Sequence, residues 1–342
     1  MIQNWNLPLC SAVLRQHGGW QGLRQELDAL GLDGTNRLDI VLMKILVTAL
    51  LTPPIRRALD KAGLSHIPVI SLNANGMEKN PGFRFTVPLI LDAARAFYGG
   101  GPEILLEQYR ADLERVMALG ARYVVFHVTD VSIEECYTYR WLHSDEEVLD
   151  ASAELINELL RGVPAEFDFL VENQWWPGFT FTSPDKTARL LDAISFARKG
   201  ILLDIGHLMN SGAVFTQAQG AAWVQKMLDR HGPLCRYIRG VHLHQSLSRR
   251  YVRAHTGRVP DALPEDYIRQ FSACYAHIQR IDRHRPWTDP SIVPVLERIA
   301  PRYLTHELAG KTEAARKLAL ERQIQTLRQG GLLCEPIAAS SD

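Results

Sequence analysis

Five predicted β-strands in the second half of the chain each end in a residue of a type that binds metal ions. These residues are His127, Glu172, Asp204 with His207, His242 with His244, and Glu307. The carboxylates follow apolar strand residues, and an isolated ionised carboxylate is costly to bury without a partner charge. A divalent cation bound by carboxylates and an imidazole would remove that cost. The alternative for each residue taken alone is a structural histidine or a helix cap.

The elements that would position these residues alternate between helix and strand. Short runs rich in β-branched and aromatic residues predict strands, and stretches with apolar residues at helical spacing predict the helices between them. The predicted strands are 123–128, 167–173, 201–207, 238–244 and 303–308. The predicted helices are 105–119, 145–161, one from Ser183 to near Lys199, 216–231, 292–299 and 311–329. The strands are almost continuously apolar, as expected for a parallel sheet covered on both faces.

Three earlier strands complete the pattern. Residues 67–73 predict a third strand, 34–41 a second, and a first is expected within 6–13. Eight βα units predict a (β/α)8 TIM barrel of class α/β, with residues 1–342 as a single domain. The region 31–64 could equally be mostly helical, which would leave the early units differently arranged.

The carboxyl ends of parallel barrel strands open on one face, so the strand-end residues should meet at one mouth. The interval between His242 and Glu307 is about thirty residues longer than one βα unit needs. We therefore expect a long insertion between strands 7 and 8, at 246–285, which lies over the mouth. This segment is rich in Arg and His.

Five short motifs in order carry a family resemblance. VFHV (125–128), VEN (171–173), LDIGH (203–207), RGVHL (239–243) and THEL (305–308) resemble the xylose isomerase-like TIM barrel superfamily, over roughly residues 100–330. That superfamily holds sugar isomerases and epimerases and the AP endonuclease family 2 enzymes. The resemblance implies a divalent metal cofactor (Zn, Mn, Fe, Co or Mg) whose matching ligands here are Glu172, Asp204, His242 and Glu307, with His207 in the Asp-x-x-His step.

Several ligand assignments stay open at this point. His244 shares the strand face of His242 and could replace it, although His242 fits the motif better. Asp282 and His284 resemble the pair that holds an additional metal in the endonucleases, or they are simply a charged helix end. His127 and His207 are further candidates for an additional metal. The endonucleases also carry a histidine near the end of strand 3, where this chain has Ser-Leu-Asn-Ala-Asn at 71–75, so one or two metals are expected rather than three.

Candidate substrate contacts follow the strands. Trp175 and Trp176 come directly after strand 5, where their rings could stack on a sugar or could pack under the adjacent loop. His244 could also face the substrate. Arg250, in the insertion, could bind a substrate carboxylate or phosphate, or it could belong to a solvated loop face.

Charge and composition restrict the partners. The 38 Lys and Arg residues balance 38 Asp and Glu residues, and the sequence pI is near 7.2. This balance provides no global field for nucleic acid or anionic membranes, so a small-molecule substrate is expected and nucleic acid is disfavoured. Five cysteines without Cys-x-x-Cys spacing, no leader-like start and no long apolar run favour a reduced cytoplasmic protein without membrane contact.

Three enzymatic hypotheses follow, all resting on the resemblance. The first is a metal-dependent isomerase or epimerase of a sugar or polyhydroxylated molecule, with Glu172 and Glu307 moving a proton through a metal-bound enediolate and His207 contacting a substrate oxygen. The second is an AP endonuclease-like phosphodiesterase. The third is a multinuclear iron oxidase of peptides or natural products, because LDIGHLMNSG (203–212) is similar to segments of such enzymes. A non-catalytic binding barrel fits poorly with an intact carboxylate set.

Overall fold

The computed structural model describes residues 122–264 and 267–332, the strand segments 2–7, 38–41 and 69–71, and the positions 25, 109, 110, 113, 114 and 117. Eight strands form a closed barrel in sequence order, and every neighbouring pair is parallel. The strands are Ile2–Leu7 (β1), Leu38–Val41 (β2), Val69–Ser71 (β3), Tyr123–His127 (β4), Asp168–Glu172 (β5), Lys199–Asp204 (β6), Ile238–Leu243 (β7) and Tyr303–His306 (β8). The predicted TIM barrel is confirmed.

The first strand was predicted too far along the chain. It spans Ile2–Leu7 rather than lying within 6–13, and it closes the barrel by pairing Trp5 with His306 of β8. Pro8 follows in the sequence and has no N–H to donate to a ladder, which is a sufficient reason for the strand to end before it. Strands β2 and β3 lie inside their predicted windows.

Helices lie between the strands. Their bounds are Ile133–Thr138 (α1), Asp145–Leu159 (α2), Pro184–Ala193 (α3), Ile205–Ser211 (α4), Gln217–His231 (α5), Arg249–His255 (α6), Tyr267–Ile281 (α7), Val293–Ile299 (α8) and Glu313–Gln329 (α9). Two 3-10 turns span Gly232–Tyr237 and Pro290–Ile292. Within the predicted helix 105–119, the described positions 109, 110, 113, 114 and 117 are helical.

Local capping explains where several helices begin. Ser132 and Ser144 each accept a hydrogen bond from the backbone N–H three residues on, while the Glu at that position reaches back, so both form capping boxes. The Thr216 and Thr312 hydroxyls each accept a hydrogen bond from the backbone N–H three residues on, and so cap α5 and α9. Helix α3 ends at Ala193, earlier than predicted.

The predicted strand 201–207 is wrong at its carboxyl end. Strand β6 stops at Asp204, and α4 begins at the next residue. The Asp204 side chain accepts a hydrogen bond from the His207 N–H at 2.7 Å, which caps the new helix. His207 therefore lies on a helix, one turn beyond the barrel.

Alternation along the strands separates two apolar layers. Side chains inside the barrel form one cluster, Tyr123, Val125, Leu170, Leu202 and Tyr303. The residues between them in sequence, among them Val124, Phe126 and Phe169, pack outward against the helices. Apolar residues on both faces explain why the strands read as continuous apolar runs.

A buried ion pair network lies at the amino-terminal end of β5. The Asp168 carboxylate accepts hydrogen bonds from Arg198 (2.9 Å), Arg239 (2.6 Å) and the Tyr303 hydroxyl (3.0 Å), and Arg302 contacts it at 3.3 Å. Asp168 is fully buried, whereas the arginines are partly exposed. The network joins four strands or their flanks at the end of the barrel opposite the strand-end histidines.

The segment between β7 and β8 holds α6 and α7, as expected for the insertion at 246–285. It is attached to the barrel by an apolar cluster in which Cys274, Ile278 and Ile281 of α7 pack with Trp175 and Trp176. The Gly257 N–H also donates to the Tyr137 carbonyl at 2.8 Å. That the whole chain forms one domain stays a prediction.

Two further observations concern cysteines and membranes. The cysteines that the structure describes, Cys136, Cys235 and Cys274, are free thiols. Among the described residues, no helix combines the length and apolar character needed to cross a bilayer.

Candidate metal centre

Strand register brings the predicted ligands to one level of the barrel. His127 pairs with Glu172 across β4 and β5, and Asp204 pairs with His242 across β6 and β7. Glu307 follows the last residue of β8. Because all these strands are parallel, the side chains converge at the carboxyl-terminal mouth.

Four of them form what we call the central group, Glu172, Asp204, His242 and Glu307. His242 Nδ1 lies 2.9 Å from Glu307 Oε2 and 3.7 Å from both Glu172 Oε2 and Asp204 Oδ2. One ligand atom from each of Asp204, His242 and Glu307 lies within 4.8 Å of the other two. The same holds for the set Glu172, Asp204 and His207. The Glu172 side chain is 1% exposed and that of Glu307 is 20% exposed.

Charges in the central group are strongly coupled. Burial raises the pKa of Glu172, but the imidazoles of His127 and His242 outweigh it and hold that pKa well below its usual range. The pKa of Glu307 is also lowered, since His242 and His284 overcome the effect of burial. Burial lowers the pKa of His242, yet Glu307 and Glu172 raise it well above its ordinary value. In the metal-free protein the carboxylates are ionised and protons on imidazoles balance them.

A second set overlaps the first, and we call it the outer group: His207, His244, Asp282 and His284. Its four ligand atoms also lie within 4.8 Å of one another. His207 Nε2 lies 3.2 Å from Asp282 Oδ2, and His284 Nε2 contacts the same oxygen at 2.5 Å. The rings of His244 and His284 stack in parallel, with centroids 4.1 Å apart.

His207 and Asp204 connect the two groups. His207 Nδ1 lies 3.2 Å from Glu172 Oε1, while its Nε2 faces Asp282. Asp204 Oδ2 lies 3.7 Å from His242 Nδ1 and 2.9 Å from His244 Nε2. His242, on β7, lies in the central group, and His244, directly after β7, lies in the outer group.

The outer group depends on how the insertion returns to the barrel. The backbones of Gln245 and Arg285 exchange two hydrogen bonds, at 2.8 and 3.1 Å, which place His284 beside His244. The Ser246 hydroxyl donates to Asp282 Oδ1 at 3.0 Å. His284 has a φ of 45°, a left-handed conformation that is uncommon outside glycine and that clusters at functional sites.

Charge in the outer group follows the same logic. Burial lowers the pKa of His207, but the carboxylates of Asp204 and Asp282 outweigh burial and raise this pKa well above its ordinary value. Burial also lowers the pKa of His284, but Asp282 and Glu307 raise it to about 9. Burial raises the pKa of Asp282, and His284 and His207 bring it well below the usual range. Asp282 and His284 therefore lie in one cluster with His207 and His244, and their role as metal ligands stays a prediction.

His127 lies at the edge of the central group. Its Nε2 is 2.9 Å from Glu172 Oε2. Its Nδ1 is buried and has no hydrogen-bond partner among the described residues.

The two tryptophans are buried rather than presented to solvent. Trp176 is 1% exposed and Trp175 is 7% exposed. The Trp175 ring lies 4.9 Å from the His207 ring and 4.4 Å from that of Trp176. The two rings pack in an apolar cluster with residues of α1 and α7, and the Trp175 ring borders His207. Contact of either ring with a substrate stays a prediction.

Arg250 is not brought into either group. It lies on α6 and lines a separate cavity together with other arginines of the insertion. The expected departure at 71–75 falls largely outside the described residues, which include only Ser71 of that stretch.

Sequence reasoning missed several supporting residues. Asn173 exchanges hydrogen bonds with the Asp204 backbone at 2.8 and 3.0 Å, and Gln174 Nε2 lies 3.1 Å from His207 Nδ1. Both are fully buried, and their adjacency to Glu172 was the available signal. Gly206 was also missed: a Cβ there would lie 2.0 Å from the His244 ring.

These donor sets fit divalent cations. Carboxylate oxygens and imidazole nitrogens gathered within one ligand sphere are typical of zinc, manganese and iron sites. The low pKa values of the carboxylates mean that they are ionised at neutral pH, as metal ligands must be.

Comparisons with known proteins agree with this architecture. No curated protein matches the sequence. Among solved structures, endonuclease IV from Thermus thermophilus is similar, with a TM-score of 0.55, 17% identity and coverage of 96% of this chain and 100% of that chain. A D-tagatose 3-epimerase-like protein has a TM-score of 0.54 and 16% identity, with coverage of 97% of this chain and 98% of that chain. D-Psicose 3-epimerase with D-tagatose, from Clostridium cellulolyticum, has a TM-score of 0.52 and 12% identity, with coverage of 98% of this chain and 100% of that chain.

At these identities the structural likeness shows the fold alone, and it includes sugar epimerases and a DNA-repair endonuclease alike. The family comparison goes further, because residues 52–299 match the description "Xylose isomerase-like TIM barrel". That match covers well over half of the chain. The chain therefore belongs to the xylose isomerase-like TIM barrel family.

Proposed function

We propose that this protein is a divalent-metal-dependent isomerase or epimerase of a sugar or related polyhydroxylated molecule, acting by proton transfer through an enediolate. The central group carries the proposal: three carboxylates and one imidazole meet at the mouth of the barrel, and one of them, Glu307, is open to solvent over 20% of its side chain. Family membership agrees with this reaction class, and solved sugar epimerases share the fold.

The metal assignment follows from the donors. Glu172, Asp204, His242 and Glu307 would hold one divalent ion, which would supply Lewis acidity toward a substrate carbonyl and its neighbouring hydroxyl. His242 lies between the two glutamates and contacts both, at 2.9 and 3.7 Å. The imidazole thereby fixes the relative positions of Glu307 and Glu172.

The glutamates would move the proton. Both have lowered pKa values, so both are ionised at neutral pH and can accept a proton from a carbon acid. They contact His242 from different strands, β5 and the end of β8, and so could reach different sides of a substrate. Glu307, the more exposed of the two, would exchange its proton with solvent more readily.

Two roles change from the sequence expectations. His207 was expected to bind a substrate oxygen, but both of its ring nitrogens already contact protein atoms, Nδ1 near Glu172 and Nε2 near Asp282. His244 was expected to face the substrate, but it is fully buried beside Asp204. We assign both to ligand positions of the outer group.

The test is isotope exchange. Metal-loaded protein incubated in D2O with a panel of ketoses and keto sugar acids should place deuterium on the carbon beside the carbonyl, as read by NMR. Glu307→Gln should abolish exchange, whereas the exposed Glu297→Gln on α8 should not. Protein that holds metal but gives no exchange with any panel member would overturn the isomerase proposal.

The outer group favours a second candidate. Four more ligands beside the central group exceed what one metal needs, and clustered metals suit a phosphodiesterase or a multinuclear iron oxidase. Metal analysis giving two or three ions per chain, together with incision of abasic duplex DNA or oxygen uptake by iron-loaded protein, would favour this candidate over the first.

A further inference from the structure

A cavity of about 520 Å³ lies beside the metal centre and is lined by an unusual number of arginines. Of the described residues that line it, five are arginines and none is Asp or Glu: the arginines are Arg249, Arg250, Arg280, Arg283 and Arg285. They come from two places, the start of α6 and the end of α7 with the segment after it. The volume is in the range of sites for small molecules.

Among the described residues, none of these five arginines has a carboxylate partner, whereas Arg189, Arg198 and Arg298 elsewhere do. Arg280 lies over the Tyr251 ring at 4.9 Å, and Arg283 reaches only the Leu247 carbonyl, at 3.4 Å. Arg250, Arg280, Arg283 and Arg285 are exposed, so solvent screens their mutual repulsion, but five positive charges around one cavity still attract an anionic occupant.

The rest of the lining limits the kind of occupant. Val214, Phe215 and Leu247 supply an apolar side, and Phe215 is 43% exposed. Guanidinium groups bind phosphate and carboxylate oxygens in a bidentate manner, and an aromatic or apolar wall accepts a carbon skeleton. An organic molecule that carries more than one oxyanion suits both halves of the cavity.

The cavity is built on the segments that carry the outer group. Arg283 and Arg285 flank His284 in sequence, and the Arg283 N–H donates to the Ser246 hydroxyl that holds Asp282. Leu247 and Ser248 follow Ser246 directly. A ligand held by the arginines would therefore be anchored next to the metal ligands.

We infer that this cavity is a binding site for a small organic molecule with at least two oxyanion groups, phosphate or carboxylate, and that it holds the anionic part of the substrate. Calling the occupant a substrate rests on the proposed function. The binding site itself does not, because it is formed by residues outside both ligand groups.

Calorimetric titration of the full-length protein tests the site with two probes, inorganic pyrophosphate and tricarballylate. At least one should bind, and Arg250→Gln or Arg285→Gln should weaken that binding about tenfold or more, since each removes charge-assisted hydrogen bonds. Arg253→Gln is the matched control: it is exposed on the same helix but does not line the cavity. Tighter binding of pyrophosphate identifies phosphate as the preferred group, and tighter binding of tricarballylate identifies carboxylate.

Both probes can also chelate metals, so the titration is repeated with a Glu172→Ala, Glu307→Ala double variant shown by circular dichroism to be folded. Retained binding places the probe in the cavity even if isotope exchange is absent, which separates this inference from the proposed function. Binding that disappears with the metal, or that Arg253→Gln weakens as much as Arg250→Gln, would overturn the site. Duplex DNA that binds more tightly than either probe and loses affinity in Arg250→Gln would overturn the small-molecule assignment.

Discussion

A Cβ atom on Gly206 would lie 2.0 Å from Cε1 of the His244 ring, so these two residues fit together only because position 206 has no side chain. The ring is fully buried and cannot swing into solvent at low cost. The contact fixes His244 between Asp204 on one side and His284 on the other.

Gly206→Ala should displace His244 and lower metal binding by the outer group. We expect the loss of about one metal equivalent per chain and a destabilisation of about 1–3 kcal/mol from overpacking, measured by elemental analysis and thermal unfolding. Gly220→Ala on α5 is the control, since its Cβ would first meet the flexible end of Met209. Unchanged metal content in Gly206→Ala would show that His244 is not a ligand.

Asp282→Asn should lower metal binding by the outer group and leave the central group unchanged. The outer group loses its only carboxylate, while the central group keeps all of its ligands. We expect metal content to fall by about one equivalent while isotope exchange persists. The exposed Asp261→Asn in the same insertion should retain full metal content. If Asp282→Asn abolished all metal binding, the two groups would have to be one indivisible centre.

Metal affinity should rise steeply with pH. The pKa values of His207 and His242 are raised well above normal and that of His284 to about 9, so in the metal-free protein these rings hold protons at pH 7 that a metal must displace. Affinity should fall from pH 8 to pH 6, and binding at pH 7 should release protons. Titration calorimetry in buffers of different ionisation enthalpy counts them. Proton-independent binding would contradict the assignment of these histidines as ligands.

Asp168→Asn should weaken the fold without touching the metal centre. Breaking a buried ion pair costs about 3–5 kcal/mol, and we expect the lower part of that range or slightly less because the arginine partners are partly exposed. Urea unfolding measures the change. Asp150→Asn, which breaks the exposed pair with Arg189, should cost much less. Equal effects of the two substitutions would show that the network adds nothing beyond a surface ion pair.

The strands that carry the site could be predicted because each combines an apolar run with a polar end. Both barrel faces are covered, so β4 to β8 read as apolar segments, and the acidic residues at their carboxyl ends, such as Glu172 and Glu307, lie at the mouth. The barrel was predicted correctly for this reason. The roles of these residues stay predictions.

Other features depend on tertiary contacts that the sequence pattern does not contain. The change from strand to helix after Asp204 needs its side chain to cap the His207 N–H, and an aspartate at a strand end is compatible with either outcome. Trp175 and Trp176 are covered by α7, which lies about a hundred residues later in the chain. The assignment of His244 to the outer group required the position of His284, set by the pairing of Gln245 with Arg285.

The backbone pairing of Gln245 with Arg285 joins the two ends of the insertion where it meets the barrel. The proposed ligands His244 and His284 are the neighbours of these two residues in the sequence, and the chain from Leu247 to Ile281 lies beyond the pairing. Sequence changes, and even changes of length, in that outer stretch can therefore alter what enters the mouth while leaving the metal ligands in place. The insertion is thus a segment that can change substrate specificity without altering the candidate ligands.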